Sequence, residues 1–286
     1  MELKADFFRD WVNTLKGILV NEWRYDVSSV PESKIPYLYF NAEKRRPKKK
    51  VRKLFLADSF VCSPELEDGW RALKDRVEGG EDLSPNLSKL IEVLSDTDLM
   101  LNDWGVHHFH LGKEMHGKFV NRTGPLLFAL LVDDAFYAIG IFAHGSWANQ
   151  GIVEIIHRNW PTVIERDKVQ GDISPTQMTQ QQRGGLRKSS GNAMVTVSDG
   201  TSYFPIGGGF VGSGFNLQAC MEIDRKKILL RDLERLVADQ LESWIGTFEK
   251  PGYKRETEIE ASLSIEEADY IVTFPKYGFS ATYELK

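Results

Sequence analysis

The sequence predicts an α+β fold with a mainly antiparallel sheet, flanking helices and a long amphipathic helix in its C-terminal third. Two pairs of apolar segments, each joined by a short polar turn, are typical of β-hairpins. A further observation is a long amphipathic pattern at helical spacing, which ends near residue 246. Local hairpins and separate helices favour α+β over an alternating βαβ architecture.

The N-terminal region predicts helices and strands in alternation. Apolar residues recur at helical spacing between Asp6 and Leu19, which indicates an amphipathic helix. Tyr37–Phe40 and Leu54–Cys62 have the composition of strands. Ser63-Pro64 and Ser84-Pro85 each predict an N-cap followed by the first residue of a helix.

The central region predicts a tight hairpin. Leu126–Val132 and Ala135–Ala143 are apolar and are separated only by Asp133-Asp134. With a two-residue turn, the two residue numbers of each facing pair add up to 267, as they do for Val132 and Ala135. This register places His144 opposite Thr123, with Arg122 one position along.

The C-terminal third predicts a second hairpin, a glycine-rich loop, a helix and two or three strands. The hairpin strands are Ala193–Val197 and Thr201–Ile206, and the loop is Gly207–Gly214. Gly246 is the expected stop of the helix, and the last strands lie within Ile259–Leu285. The expected buried face of the helix comprises Ile228, Leu229, Leu233, Leu236, Val237, Leu241 and Trp244. We expect the chain to consist of four consecutive regions. They are 1–100, which contains the basic segment, 101–165, a histidine-rich antiparallel core, 166–192, a polar linker or loop, and 193–286, which contains the second hairpin, the long helix and the last strands.

Composition excludes several classes of protein. The 286 residues are 42% hydrophobic and 27% charged, which excludes collagen-like, coiled-coil and wholly disordered chains. The longest apolar stretch is interrupted by Asp133 and Asp134, so we expect no membrane span. We expect no signal peptide, and Cys62 and Cys220 have neither metal-binding nor redox spacing. The expectation is a cytoplasmic protein with structural thiols.

The distribution of charge indicates an anionic partner. Net charge is −5, yet eight of the 36 Lys and Arg residues lie in one segment, so that 28 remain against 41 Asp and Glu. A solvated loop and a nucleic-acid-binding segment are both consistent with such a run. Its residues are Lys44, Arg45, Arg46, Lys48, Lys49, Lys50, Arg52 and Lys53.

The histidines are concentrated in one part of the chain. All six lie within 51 residues, namely His107, His108, His110, His116, His144 and His157. In a strand, His108 and His110 share one face, where two imidazoles can bind a metal or exchange protons. We expect His116 to be exposed in a loop, and His157 to interact with the C-terminal end of a helix.

Other motifs point away from common enzyme classes. Gly207, Gly209 and Gly212 formally match GxGxxG, but a hairpin precedes them where a dinucleotide fingerprint requires a βαβ unit. We therefore interpret this loop as a turn. The sequence contains no GxSxG elbow, Walker A loop or HExxH motif.

The stretch LNDWGVHHFHLG, with RTGPLLFALLVDDAFYAIGIFAHGSW and IIHRNWP, resembles a group of poorly characterised bacterial proteins. Their central region in turn resembles the small RelE-type ribonuclease toxins, in which helices precede an antiparallel sheet with basic and histidine residues near its rim. The resemblance covers about residues 83–161. It implies ribonuclease activity in a toxin or phage-defence setting.

The leading hypothesis is a metal-independent endoribonuclease that needs no cofactor. His108 or His110 withdraws the proton of the ribose 2′-hydroxyl, and His144 protonates the leaving oxygen. Arg122 stabilises charge on the phosphate, and the basic segment holds the RNA backbone. RNA is the expected partner, and an inhibitory protein is a further one.

Two other classes of function stay open. A metal-dependent hydrolase or nuclease would use His108, His110, His144 and Asp103 as ligands. A non-catalytic module that binds nucleic acid or protein would use only the basic segment and the glycine-rich loop.

Overall fold

The computed structural model describes residues 1–171, 178–248 and 257–284. The helices are α1 (Phe7–Gly17), α2 (Ile35–Lys44), α3 (Glu67–Gly79), α4 (Leu99–Trp104), α5 (Gly151–Asn159), α6 (Gln180–Lys188), α7 (Leu217–Gln240) and α8 (Ile245–Phe248). The strands are β1 (Glu2–Lys4), β2 (Lys53–Leu56), β3 (Val106–His110), β4 (Met115–His116), β5 (Phe119–Val120), β6 (Leu126–Leu131), β7 (Ala135–Phe142), β8 (Val195–Thr196), β9 (Ser202–Tyr203), β10 (Glu258–Glu260), β11 (Ser262–Glu266), β12 (Asp269–Phe274) and β13 (Phe279–Glu284).

The chain divides into two compact units. One comprises residues 1–39 and 221–286, and the other comprises residues 40–220. All six histidines and the basic segment belong to the second unit. The division of the chain into four consecutive regions stays a prediction.

The first unit contains the N-terminal helix and the C-terminal strands. Helix α1 is amphipathic as predicted, and the side chain of Asp6 caps it by accepting from the backbone N–H of Arg9. Strand β1 pairs in parallel with β10, and β11, β12 and β13 form an antiparallel sheet. Leu285, the predicted end of the last strand, lies outside the described residues.

The long helix is present, and its predicted buried face is confirmed in part, because Leu233, Val237 and Leu241 are buried. Ile223, Leu230 and Val237 are buried at seven-residue intervals, so they share one side of α7. Ile228 and Leu236, expected inside, are 52% and 40% exposed because they lie on other sides of the helix. Gly246 does not end the helical segment, since it lies within α8.

The second unit is built around a four-stranded sheet in the order β2-β7-β6-β3. The pairs β3–β6 and β6–β7 are antiparallel, whereas β2 is parallel to β7. Helix α5 and the hairpin β8–β9 contribute to the core on one face of the sheet, and α3 contributes to the core on the other. Because helices and mainly antiparallel sheets occur together, the predicted α+β class is confirmed.

The central hairpin has the predicted turn, but its register changes along the strands. The N–H of Val132 donates to the carbonyl of Ala135, which closes a two-residue turn. Beyond Ala129 a bulge in β7 shifts the register by one residue, and the ladder ends at Leu126 and Phe142. The predicted strand pairing of Thr123 with His144 is therefore wrong, because both residues lie beyond the ladder.

Three local predictions for residues 37–94 are also wrong. Tyr37–Phe40 belongs to helix α2, since a short apolar run does not distinguish a strand from a buried helix. Ser63-Pro64 forms a turn, and helix α3 begins only at Glu67. Ser84-Pro85 opens a single 3₁₀ turn rather than an α-helix, because Leu87 is extended.

The segment 166–192, predicted as a linker or exposed loop, contains helix α6. Thr179 and Gln182 form a capping box at its N-terminus, and Arg183 and Arg187 are buried on one side. Residues 172–177 lie outside the described part of the chain. The second hairpin is confirmed as β8–β9. In the described ranges, no helix is both long and apolar enough to cross a membrane.

Candidate active site

Helix α4 and strand β3 position the first histidines. The side chain of Asp98 caps α4 by accepting from the N–H of Leu101 at 2.9 Å. Gly105 ends the helix with φ of 70°, a left-handed conformation that lets the chain turn directly into β3. On β3, Phe109 belongs to the core on the α3 side of the sheet, so His108 and His110 lie on its other face as predicted.

Asp98 also contacts His108, and sequence reasoning missed this pair. Asp98 Oδ2 lies 3.3 Å from His108 Nδ1, and both side chains are 18% exposed. Burial alone would raise the pKa of Asp98, but His108 and the helix N–H lower it below its usual value. Because the ionised carboxylate favours a proton on Nδ1, the Nε2 atom of His108 is left to accept a proton.

His110 has a different environment. It is 2% exposed, and its Nδ1 atom accepts a hydrogen bond from the backbone N–H of Thr123 at 3.2 Å. Burial, with the nearby charge of Arg122, lowers the pKa of His110 to about 4. The ring is therefore neutral at pH 7, with its proton on Nε2, and it can donate a hydrogen bond.

Arg122 and His144 come from loops at the end of the hairpin. Both are exposed, and the left-handed φ of 101° at Gly145 turns the chain sharply after His144. Although they are not strand partners, both line the same cavity as His108 and His110. The structure thus brings all four predicted catalytic residues to one cavity, and their catalytic roles stay predictions.

Trp147 connects two of these histidines. Its ring lies 4.8 Å from that of His108 and 5.2 Å from that of His144, measured between ring centroids. It also stacks on Phe128 of the core at 5.5 Å, so a buried residue holds it in place. The two imidazoles contact one indole and therefore lie at the same side of the cavity.

The cavity has a volume of about 510 Å³, which falls in the usual range for small-molecule sites. Arg45, Arg122, Arg187 and Lys188 line it together with the acids Asp96 and Asp98. Cations outnumber anions, so the cavity favours an anionic ligand. Its apolar lining consists of Leu87, Leu90, Ile91, Leu99, Met100, Leu101, Leu126, Trp147 and Ala148.

The metal-binding alternative lacks a matching arrangement. Asp103, considered above as a ligand, accepts instead from Arg183 Nη1 at 3.0 Å and from Arg187 Nε at 2.7 Å. Within the described residues, no group of three His, Cys, Asp or Glu side chains is placed to hold a metal ion. The charge of Asp103 is already shared between two arginines, which makes it a poor ligand.

Arg45 of the basic segment makes contacts inside the protein. It is 6% exposed and pairs with Asp96 at 3.3 Å. Its guanidinium also donates to the carbonyls of Leu90 and Val93. Arg45 therefore holds the loop before α4 in place and is unsuited to binding an RNA backbone on the surface.

Three further residues of this segment have internal partners. Arg52 is buried and donates to the carbonyl of Val132, and Arg46 donates to that of Ile91. Lys44 donates to the carbonyl of Gly207, and burial lowers its pKa to about 8. The exposed residues are Lys48, Lys49, Lys50 and Lys53, which narrows the predicted nucleic-acid-binding set to four.

Of the remaining histidines, His107 also lines the cavity, whereas His116 and His157 do not. His116 is exposed, as predicted. His157 lies near the C-terminal end of α5, where Nδ1 is 2.7 Å from Tyr203 Oη and Nε2 is 3.1 Å from Asp199 Oδ2. His107 contacts the carbonyl of Lys44, and burial lowers its pKa to about 4.

The glycine-rich loop forms turns, as predicted. Gly208 and Gly209 have φ of 94° and 76°, a conformation that favours glycine. The strands β8 and β9 that precede this loop form an antiparallel hairpin, so the parallel βαβ unit of a dinucleotide site is not formed here.

Comparison with known proteins leaves the site to be interpreted from its geometry. No family model matches the chain, and no curated protein or solved structure matches it significantly.

Proposed function

We propose that this chain is a metal-independent endoribonuclease whose active site is the histidine-lined cavity. The observation that carries the proposal is the Asp98–His108 pair, which shares one positively charged cavity with His110, Arg122 and His144. An imidazole beside an ionised carboxylate is suited to act as a general base. An excess of cationic side chains is suited to bind a phosphate.

The chemistry assigns each side chain a separate step. His108 Nε2 takes the proton of the ribose 2′-hydroxyl, and the 2′ oxygen forms a bond to phosphorus. The bond from phosphorus to the 5′ oxygen breaks, and His144 supplies the proton to that leaving oxygen. The products are a 2′,3′-cyclic phosphate and a 5′-hydroxyl.

Two groups are suited to stabilise the negative charge that develops on the phosphate. Arg122 presents a fixed cation, and the Nε2–H of His110 presents a neutral donor. The structure therefore favours His108 as the base over His110, because the Nδ1 atom of His110 already accepts from Thr123. The sequence left open whether His108 or His110 is the general base, and we propose His108.

The setting forms part of the same proposal. RNA is the partner, held outside the cavity by Lys48, Lys49, Lys50 and Lys53, and the location is the cytoplasm. A toxin or phage-defence role and an inhibitory protein partner follow from the resemblance described above and from nothing else.

Incubation with a labelled RNA oligonucleotide tests the proposal. We expect cleavage that survives a chelator and leaves 2′,3′-cyclic phosphate ends, whereas an oligonucleotide of the same sequence with 2′-deoxyribose is left intact. His108→Gln and His144→Gln should each lower the rate by about 10²–10⁴-fold, because each removes a positioned proton-transfer group. The matched control is His116→Gln, which changes an exposed histidine outside the cavity.

Each contrary result points to another class of function. Cleavage that a chelator abolishes would indicate a metal-dependent nuclease. RNA binding with no cleavage of any oligonucleotide would indicate a binding module. Cleavage of the 2′-deoxy oligonucleotide would exclude attack by the ribose hydroxyl.

A further inference from the structure

A buried cluster next to the cavity contains more positive than negative charge. Asp103 is the only carboxylate bonded to Arg183 and Arg187 among the described residues, and all three side chains are at most 4% exposed. Arg187 also lies against the ring of Trp104, with 4.1 Å between the guanidinium carbon and the ring centroid. One carboxylate balances one guanidinium, so the buried cluster carries one net positive charge, and Asp98 of the cavity is a further anion that interacts with Arg187.

This excess charge faces the cavity through Arg187. Its Nε atom donates to Asp103, and its Nη1 atom donates to the carbonyl of Trp147. Its Nη2 atom is buried and has no hydrogen-bond partner in the described part of the chain. Arg187 lines the cavity whereas Arg183 does not, so only Arg187 can meet a ligand there.

We propose that Arg187 forms a second anion subsite, which binds a phosphate adjacent to the one being cleaved. Trp147 connects the two subsites, because its carbonyl holds Arg187 while its ring contacts His108 and His144. Lys188 lines the same cavity and is exposed, so it adds positive charge at the entrance. This inference rests on the proposed function and specifies the substrate as a strand with two consecutive phosphates in the cavity.

Binding of two nucleotides that cannot be cleaved tests the subsite without any assay of activity. The probes are uridine 3′-monophosphate and uridine 3′,5′-bisphosphate, titrated into the full chain in a calorimeter. A charge-assisted hydrogen bond contributes enough to tighten binding about 10–100-fold, so we expect the bisphosphate to bind more tightly by that factor. Equal affinities of the two probes would overturn the inference.

Two matched variants test whether Arg187 is the residue that makes the bisphosphate bind more tightly. Arg187→Lys keeps the charge but removes the unpartnered N–H, and it should abolish most of the advantage of the bisphosphate. Arg183→Lys changes an arginine that is as buried and also bonded to Asp103, and it should keep that advantage. An equal reduction in both variants would assign Arg187 a structural role only and overturn the inference.

Further outcomes separate this inference from the proposed function. If either arginine variant fails to fold, Lys188→Gln replaces it, because this exposed residue can change without disturbing the core. A smaller advantage of the bisphosphate in Lys188→Gln than in the wild-type chain supports the subsite, and an unchanged advantage overturns it. A chain that prefers the bisphosphate but cleaves no RNA keeps the subsite and refutes the nuclease. A chain that cleaves RNA but binds the two probes equally keeps the nuclease and refutes the subsite.

Discussion

Three of the histidines that line the cavity differ in their surroundings, and the separate roles proposed for them depend on this difference. His108 faces a carboxylate, and His110 accepts from a backbone N–H. His144 is exposed in a turn and packs edge-on against Trp147. The environment of each ring, rather than the residue type, decides which one can take a proton and which one can donate it.

Replacing Asp98 by Asn tests the positioning role of its carboxylate. Asn is as good an N-cap as Asp, so α4 should still form, but the charge that favours a proton on Nδ1 of His108 is removed. We expect RNA cleavage to slow about 10²–10⁴-fold. Urea denaturation should show a free energy of unfolding close to that of the wild-type chain, because the cap hydrogen bond from Leu101 is kept.

The matched control for this variant is Asp199→Asn. Asp199 lies 3.1 Å from His157, so it forms a similar pair outside the cavity. Its replacement should leave the rate unchanged. A slower rate together with a large fall in the free energy of unfolding in the Asp98 variant would assign that residue a purely structural role.

At the scale of elements, the docking of α6 on α4 depends on a single carboxylate. Asp103→Asn would leave Arg183 and Arg187 buried without the carboxylate to which both are bonded, so we expect the free energy of unfolding to fall by about 3–5 kcal/mol. Urea denaturation measures the change. Asp68→Asn removes the exposed pair with Lys113 and should leave the free energy of unfolding almost unchanged, because solvent screens this pair. Similar decreases in the two variants would contradict the buried-cluster interpretation.

The exposed part of the basic segment is the surface proposed to bind the RNA backbone. Exchanging its four exposed lysines for Gln should weaken RNA binding at every sequence and flatten the salt dependence, by about 0.7 in log–log slope for each phosphate that is no longer neutralised. Filter binding at several salt concentrations measures the slope. The control exchanges Lys16, Lys113, Lys118 and Lys227, which are exposed elsewhere and give the same change in net charge. An equal effect in both variants would reduce the segment to a solvated loop.

Periodicity predicted most elements of this fold because it reflects burial directly. The strand alternation around His108 and His110 and the two-residue turn at Asp133-Asp134 were both predictable from the sequence. The bulge near Ile139 was not, since no local pattern marks one extra residue in an apolar strand.

The candidate site was predictable to a similar degree. Clustering of the histidines singled out the cavity, but its partners come from distant parts of the chain. Asp98 could have been found as an N-cap before an apolar run, and α6 from the Thr179–Gln182 capping box. The pairing of Asp103 with Arg183 and Arg187 joins residues about 80 positions apart, and nothing local encodes it.

At the scale of the whole molecule, the distribution of charge matters more than its sum. The chain carries a net charge of −5, yet its cavity and its exposed lysines are cationic. For the proposed RNA partner, the acidic remainder of the chain would repel the phosphates and the cationic site would attract them. The same site contains the buried imidazoles of His107 and His110, which are neutral in the folded chain. Their protonation in acid therefore affects the stability of the fold.

Stability should therefore fall as the pH falls from about 6.5 to 4. The pKa of His107 and of His110 is about 4 in the folded chain, below the ordinary value of 6.5. In this window the unfolded chain binds the protons first, so the stabilisation is present above pH 6.5 and is lost as the pH falls through 4. Each histidine should contribute on the order of 2–3 kcal/mol, and urea denaturation at pH 7 and pH 4.5 measures the decrease.

A variant isolates the share of one histidine in that decrease. Carboxylates titrate in the same window, and the lowered pKa of Asp98 acts in the same direction whereas the raised pKa of Asp96 acts in the opposite one. His110→Gln removes one buried imidazole, so its stability should fall less between pH 7 and pH 4.5 than that of the wild-type chain. His116→Gln, at an exposed position, should show the full fall. If the stability of His110→Gln falls as much as that of the wild type, protonation of the cavity does not control unfolding in acid, and the neutral state assigned to His110 is wrong.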